Sequence, residues 1–240
     1  MIRVSSSVAI AVALVGLGVG VSPAGAEWFA DLYGGAAFTE STHISFDGKL
    51  DGMAVAGLID GVSFDTSFSV GGRFGYWFES LKLFGLGLDA SYFRPDIRPQ
   101  TVMSKGQIID RSGALLGVPM NTRGADPVTL AKIDHRITAI SFDLMLRWPM
   151  LVSTNFSHGQ LQPYVTVGPG IYVTALRRFD TDESHGIKAG GGVTWEFTKN
   201  FGIFGEYRYT HFRPSLDSAD ITLKTHISTH HFLGGVSVRF

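Results

Sequence analysis

Eight stretches of the chain alternate apolar and polar residues with a period of two: 28–38, 64–78, 82–94, 135–148, 162–177, 185–198, 201–213 and 226–240. Successive side chains of an extended strand point to opposite faces, so each stretch predicts one β-strand with one apolar face. The apolar parity carries Leu32 and Phe38, then Phe68, Val70 and Phe74, then Leu86 and Leu88, and so on to Phe232, Val236 and Phe240. Within the central spans of the strands this parity holds no Asp, Glu, Lys or Arg. The other parity collects the charges: Asp31, Arg73, Asp89, Asp143, Arg147, Lys188, Glu196, Glu206, Arg208 and Arg239. Acids and bases are balanced within that set.

Segregation defines two faces without saying which is inside. A soluble barrel of the lipocalin kind would bury the apolar face, whereas an outer-membrane barrel turns it to lipid and keeps a polar interior. Three features favour the second. Gly71, Gly75, Gly85, Gly87, Gly168, Gly170, Gly190, Gly192 and Gly235 share the charged parity. An eight-strand barrel has an interior only wide enough for side chains to fill, so long side chains on one strand need glycine opposite. Aromatics also gather near strand ends, as in Tyr76-Trp77-Phe78, Trp148, Trp195 and Phe240, where ring edges meet a membrane–water boundary. Finally, the links alternate in length. Tight turns at 79–81 and 199–200 contrast with long loops at 39–63 and 97–134 and an intermediate one at 214–225. The links 149–161 and 178–184 depart from that rule. The fold expected is an all-β, eight-stranded antiparallel up-and-down transmembrane β-barrel.

Composition adds the compartment. A basic Met1-Ile2-Arg3 start, an apolar stretch from Val8 to Val21 and small residues through Ala24-Gly25-Ala26 predict a secretory signal at 1–26, cleaved to leave a barrel at 27–240. The absence of Cys excludes disulfides and a lipidated cysteine, and a net charge of −1 gives no reason to expect nucleic acid. Beyond residue 26 no apolar run is long enough for a membrane helix, so a membrane-embedded mature chain requires a closed barrel.

Two segments align without a gap: VGGRFGYWFESLKLFGLGLDASYFRP from Val70 and AGGGVTWEFTKNFGIFGEYRYTHFRP from Ala189. Each reads as one hairpin ended by Pro95 or Pro214, and Asp89 in one occupies the place of Arg208 in the other. The second hairpin and the ending THHFLGGVSVRF resemble the small OmpA-type and opacity-type outer-membrane β-barrels. That resemblance implies residence in the outer membrane of a Gram-negative bacterium, among lipids that include lipopolysaccharide. It also implies that Phe240 serves as the signal read by the barrel-assembly machinery.

The chemistry legible in the sequence is sparse. The ten interior charges are expected to form a salt-bridge network that plugs the barrel, because a charge removed from water needs a partner. Glu206, Arg208 and Arg239 are the expected centre of it, and a narrow ion path is the alternative. His211, Ser228, His226 and His230 share the outward parity near the outer rim. Some eight-strand barrels resemble enzymes that cut or transfer lipid A acyl chains with a rim-placed Ser and His. No acid of matching parity accompanies this set, so polar residues at headgroup level are the plainer reading. Asp180, Asp182 and Glu183 could hold a cation but read as a solvated turn, and no nucleotide, zinc-protease or serine-hydrolase motif is present. No cofactor and no metal are expected. The loops 39–63 and 97–134, the second carrying the apolar run GALLGVP, are the expected place for an extracellular ligand. The function expected is therefore structural or surface-interacting and non-enzymatic.

Overall fold

The computed structural model describes residues 27–50, 53–110, 120–176, 181–218 and 221–240. The proposed signal segment, residues 1–26, and the run GALLGVP lie outside the described residues. Eight strands close into one antiparallel barrel: β1 (Glu27–Thr39), β4 (Ser67–Trp77), β5 (Phe84–Phe93), β8 (His135–Arg147), β9 (Leu161–Leu176), β10 (Asp182–Glu196), β11 (Phe201–Phe212) and β14 (Ile227–Arg239). Each lies within a residue or a few of one of the eight alternating segments. Neighbours in sequence pair in the order β1-β14-β11-β10-β9-β8-β5-β4, and β4 returns to β1. The seam is β1 against β14, from Phe29 opposite Arg239 to Thr39 opposite Thr229, and the Phe240 amide donates to the Trp28 carbonyl at 3.0 Å.

The two parities face as the charge segregation implies. Leu32, Phe68, Val70, Phe74, Leu88, Phe142, Val167, Phe232 and Val236 are exposed on the outer wall, while the charged parity is buried inside. A belt of exposed apolar side chains around a closed sheet is a lipid-facing surface, since hydrocarbon offers backbone groups no partner and the closed sheet pairs them all internally. Trp77 is a correction to the expected aromatic girdle, because it points inward and is buried.

Glycine makes room for the inward rings as well as for long charged side chains. Tyr33 lies across from Gly71, Phe29 from Gly75, Trp77 from Gly85 and Phe204 from Gly235. A Cβ at Gly75 would fall on the Phe29 ring and the Leu86 carbonyl. The bare backbone is therefore what lets the ring lie flat in a lumen this narrow.

The long links are not loops. Residues 39–63 form the hairpin β2 (Thr42–Leu50) and β3 (Met53–Val62), residues 97–134 the hairpin β6 (Gln100–Asp110) and β7 (Met120–Leu130), and residues 214–225 the short pair β12 (Ser215–Ser218) and β13 (Ile221–Thr225). These join into a second, six-stranded sheet ordered β12-β13-β2-β3-β6-β7 above the outer end of the barrel. One face buries Ile44, Phe46, Ile59, Val62, Phe64, Ile97, Val102, Val128, Leu130, Leu216 and Leu223 in a single apolar cluster. Each fully buried side chain of this size contributes roughly 1.5–3 kcal/mol, so the sheet carries its own core, like a water-soluble domain. Strands β7 and β12 are the two edges of this lobe. At the other end, the long link after β8 runs from 148 to 160 on the side of the tight turns, so that departure from the expected rule is real.

Candidate functional site

All ten charged residues of the inward parity lie inside the barrel, none more than 6% exposed. They do not form one cluster around Glu206, Arg208 and Arg239. They form two, and Arg239 belongs to the other.

The central group is a chain of alternating sign. Asp31 accepts from Arg73 at 3.0 Å, and Arg73 reaches Glu206 at 3.0 Å. Glu206 also accepts from Arg208 at 2.8 Å, and Arg208 grips Asp89 with two bonds of 3.2 and 3.0 Å. Asp89 is 3.3 Å from Lys188, whose ammonium also pairs with Asp143. Phenols complete the carboxylate shells: Tyr33 donates to Asp89 at 2.8 Å and Tyr164 to Glu206 at 2.7 Å, while the Ser237 hydroxyl donates to Asp31 at 2.6 Å. Guanidinium planes lie over rings, Arg208 4.7 Å from the Tyr33 centroid and Arg73 5.4 Å from that of Tyr164. Strands β5 and β11 are diametrically opposite in the barrel order, so the Asp89–Arg208 pair spans the lumen. These are the two equivalent positions of the repeated hairpin, which meet as opposite charges.

The second group closes the end bearing the chain's tight turns. Arg147 pairs with Glu27 at 2.6 Å, and Arg239 with Glu196 at 3.1 Å and Glu27 at 3.7 Å. Arg147 also lies 4.3 Å over the Trp77 ring and donates to Gln162 at 3.2 Å, and Arg239 lies over Phe29. The 148–160 link folds across this mouth, leaving recesses of about 100 and about 130 Å³ beside Glu27, Arg147, His158 and Arg239. Glu27, Tyr33 and Tyr164 were not among the residues expected here. Their inward parity was the available signal: Tyr33 is two residues from Asp31, and Glu27 lies one residue before the first alternating segment.

On the outer wall near the lobe the rim residues meet. The Ser228 hydroxyl lies 3.0 Å from His211 Nδ1 and accepts from the Tyr209 hydroxyl at 3.1 Å. His230 bonds Tyr207 through Nδ1 at 2.7 Å and Glu40 through Nε2 at 2.8 Å. The carboxylate missing from the parity argument thus comes from the β1–β2 link, but it serves His230 and not His211. Asp182 accepts from the Ser215 amide at 3.2 Å, and Asp180 lies outside the described residues. Among the described residues no group of three or more His, Cys, Asp or Glu could hold a metal ion.

Beside this closed eight-strand sheet with its lipid-facing belt, residues 9–240 match one family model, the outer membrane protein beta-barrel domain. The chain belongs to that family. It is an outer-membrane protein of the Gram-negative envelope, built like the small eight-strand barrels. Among solved structures it is similar to OprG of Pseudomonas aeruginosa, at 16% identity and a TM-score of 0.50 over 90% of this chain and 96% of that one. It is also similar to Neisserial surface protein A, at 12% identity and a TM-score of 0.45 over 89% of this chain and 97% of that one. The Ail protein of Yersinia pestis matches at 12% identity and a TM-score of 0.36, over 89% of this chain and 99% of that one. At these identities the likeness shows the fold alone. No curated protein matches the chain.

Proposed function

We propose that this protein is a closed, non-catalytic anchor that holds a folded β-lobe at the cell surface, and that the lobe is its recognition surface. The observation that carries this reading is the unbroken chain Asp31–Arg73–Glu206–Arg208–Asp89–Lys188–Asp143 across the lumen. Moving any of these groups aside to pass an ion strands its partner in a site without water, at a cost of about 3–5 kcal/mol per broken pair. The lobe supports the second half of the reading, because its private core gives it a fixed outer face. Loops ordered on a rigid scaffold are the usual seat of recognition. Phe240, outward at the foot of the seam, is the residue we assign to recognition by the barrel-assembly machinery.

Planar-bilayer recording of the purified full chain is the test. A flat baseline is expected, and steady step conductance would overturn the plug. The Ser228–His211 contact favours a second reading, a lipid A acyl hydrolase or transferase. In that reading Ser228 would attack an ester with His211 as base. Against it, Glu40 is bonded to His230, and among the described residues no carboxylate is bonded to His211. Mass spectra of lipid A from cells with and without the protein separate the two: identical acylation is expected, and loss or gain of one acyl chain would establish the enzyme.

A further inference from the structure

Two reciprocal hydrogen bonds clasp the chain where β2 leaves the barrel rim and β13 returns to it. The Thr42 hydroxyl donates to the His226 carbonyl at 2.8 Å, and the Thr225 hydroxyl to the His43 carbonyl at 2.9 Å. The clasp holds the imidazoles of His43 and His226 edge to face, centroids 4.4 Å apart, with His211 6.5 Å from His226. His211 is itself fixed by Ser228, and Arg213 follows it on the same outward parity, exposed and close enough for its charge to act on His226.

Three imidazoles thus lie side by side, with a guanidinium within electrostatic reach of the central one. The remaining charged group of the neighbourhood, Glu40, is bonded to His230, whose other nitrogen is held by Tyr207. Tyr209 contributes a neutral phenol. The geometry is not that of a cation site, as no metal-holding group exists among the described residues. Neighbouring imidazoles that can each take up a proton, beside a guanidinium, are groups that an anion can engage.

The place of the patch decides the kind of anion. Directly below it on the outer wall, Phe38, Phe232 and Tyr207 pack ring to ring at the end of the apolar belt. Above it stands the lobe. A group at this height lies at the edge of the hydrocarbon, where lipid phosphates are found.

We propose that His43, His211, His226 and Arg213 form a binding site for a phosphate monoester, of the kind borne by an outer-leaflet lipid, engaged as the imidazoles take up protons. Phosphate carries close to two negative charges near neutral pH and several acceptor oxygens, so it matches neighbouring imidazolium and guanidinium groups better than a neutral headgroup does. Without an anion His226 resists charging: burial, then His43, His211 and Arg213, hold it below its ordinary value. A bound phosphate reverses the sign of that neighbourhood. Binding therefore takes up protons, and affinity rises as pH falls from about 8 towards about 6, below which the phosphate itself protonates and loses its second charge.

The test uses the full chain folded into phosphatidylcholine nanodiscs, with the imidazoles titrated by NMR. One arm adds a minor fraction of phosphatidic acid, a phosphate-monoester lipid. The other adds millimolar inorganic phosphate to phosphatidylcholine alone. The titrations of His43, His211 and His226 are expected to move upward by about one pH unit, a tenfold change in proton affinity, in the lipid arm. Movement in that arm alone makes lipid the source, and movement in both makes free phosphate an equal ligand of the same site. Movement in neither overturns the proposal. His158, on the exposed side of the opposite mouth, is the internal reference, and an equal rise there would mean general surface charge and would also overturn it. The double variant His43→Gln/His226→Gln keeps the clasp, which uses backbone carbonyls, and should remove the response at His211. An undiminished shift at His211 in that variant would again defeat the site.

Discussion

Glu206 shows how much one side chain can hold in this barrel. Its carboxylate lies between Arg73 and Arg208 and takes a third bond from Tyr164, all without solvent. Glu206→Gln leaves two guanidiniums facing each other with no charge between them. The expected loss is about 3–5 kcal/mol, because the stranded charges keep their desolvation cost after their partner is gone. Urea unfolding in detergent, followed by the heat-dependent shift on gels, measures it. The exposed pair Lys105–Asp60 in the lobe, 3.8 Å apart, is the contrast: Asp60→Asn should change stability by no more than about 1 kcal/mol. An Asp60→Asn effect as large as that of Glu206→Gln would mean that burial does not govern these pairs. The period-two pattern assigned Glu206 to the inner face. That it should meet Arg73 from the far side of the barrel, and not Arg239 on the neighbouring strand, depends on strand stagger, which alternation does not contain.

At the scale of elements, the lobe is the part that alternation alone missed. Its strands β2, β3, β6, β7 and β13 also alternate, with Ile44 and Phe46, Ile59, Val102, and Val128 and Leu130 directed into the core. The signal was weaker because the outward residues are mixed and glycine interrupts the runs, with positive φ at Gly61, Gly106 and Gly124. Link length does not separate a loop from a hairpin, since two paired strands use the same number of residues. Hairpin β6–β7 supplies Val102, Val128 and Leu130 to the shared core. Replacing 100–130 by a short Gly/Ser turn should leave the barrel intact and open the rest of the lobe to protease applied to whole cells, while the full chain resists. The barrel part follows because the barrel strands pair only with one another. Failure of that variant to reach the heat-resistant form would show that the lobe is needed to build the barrel.

For the whole molecule, the interior changes character along its axis. Two charged layers fill the membrane-spanning length, and an apolar core fills the lobe above. Between them lies a cluster that includes Phe93, Ile137, Tyr172, Phe212 and Ile227. Each layer seals the one below, so conductance has to be restored by removing a full layer of large side chains. Replacing Arg73, Glu206 and Arg208 together by Ser opens the middle of the central layer and changes its net charge by a single unit. This variant should remain closed, with or without residues 100–130, because the Glu27, Arg147 and Arg239 group and the cluster around Phe93 and Tyr172 still fill the lumen. Large steps from the triple variant alone would place the whole seal in the charge chain.

Alternation, a local property of backbone geometry, specifies eight strands with two distinct faces, and the glycines, end-placed aromatics and link lengths of the chain turn the apolar face outward. The sequence by itself also placed the ten charges inside, and it set Asp89 and Arg208 at matching places in two hairpins. Tertiary structure alone decided which charges meet, because pairs such as Asp89–Arg208 cross a lumen between strands far apart in the chain. It likewise decided that the outer links fold into one sheet, whose core comes from three separate hairpins. The clasp of Thr42 and Thr225 is of the same kind: residues nearly two hundred positions apart become neighbours only when β14 closes the ring against β1.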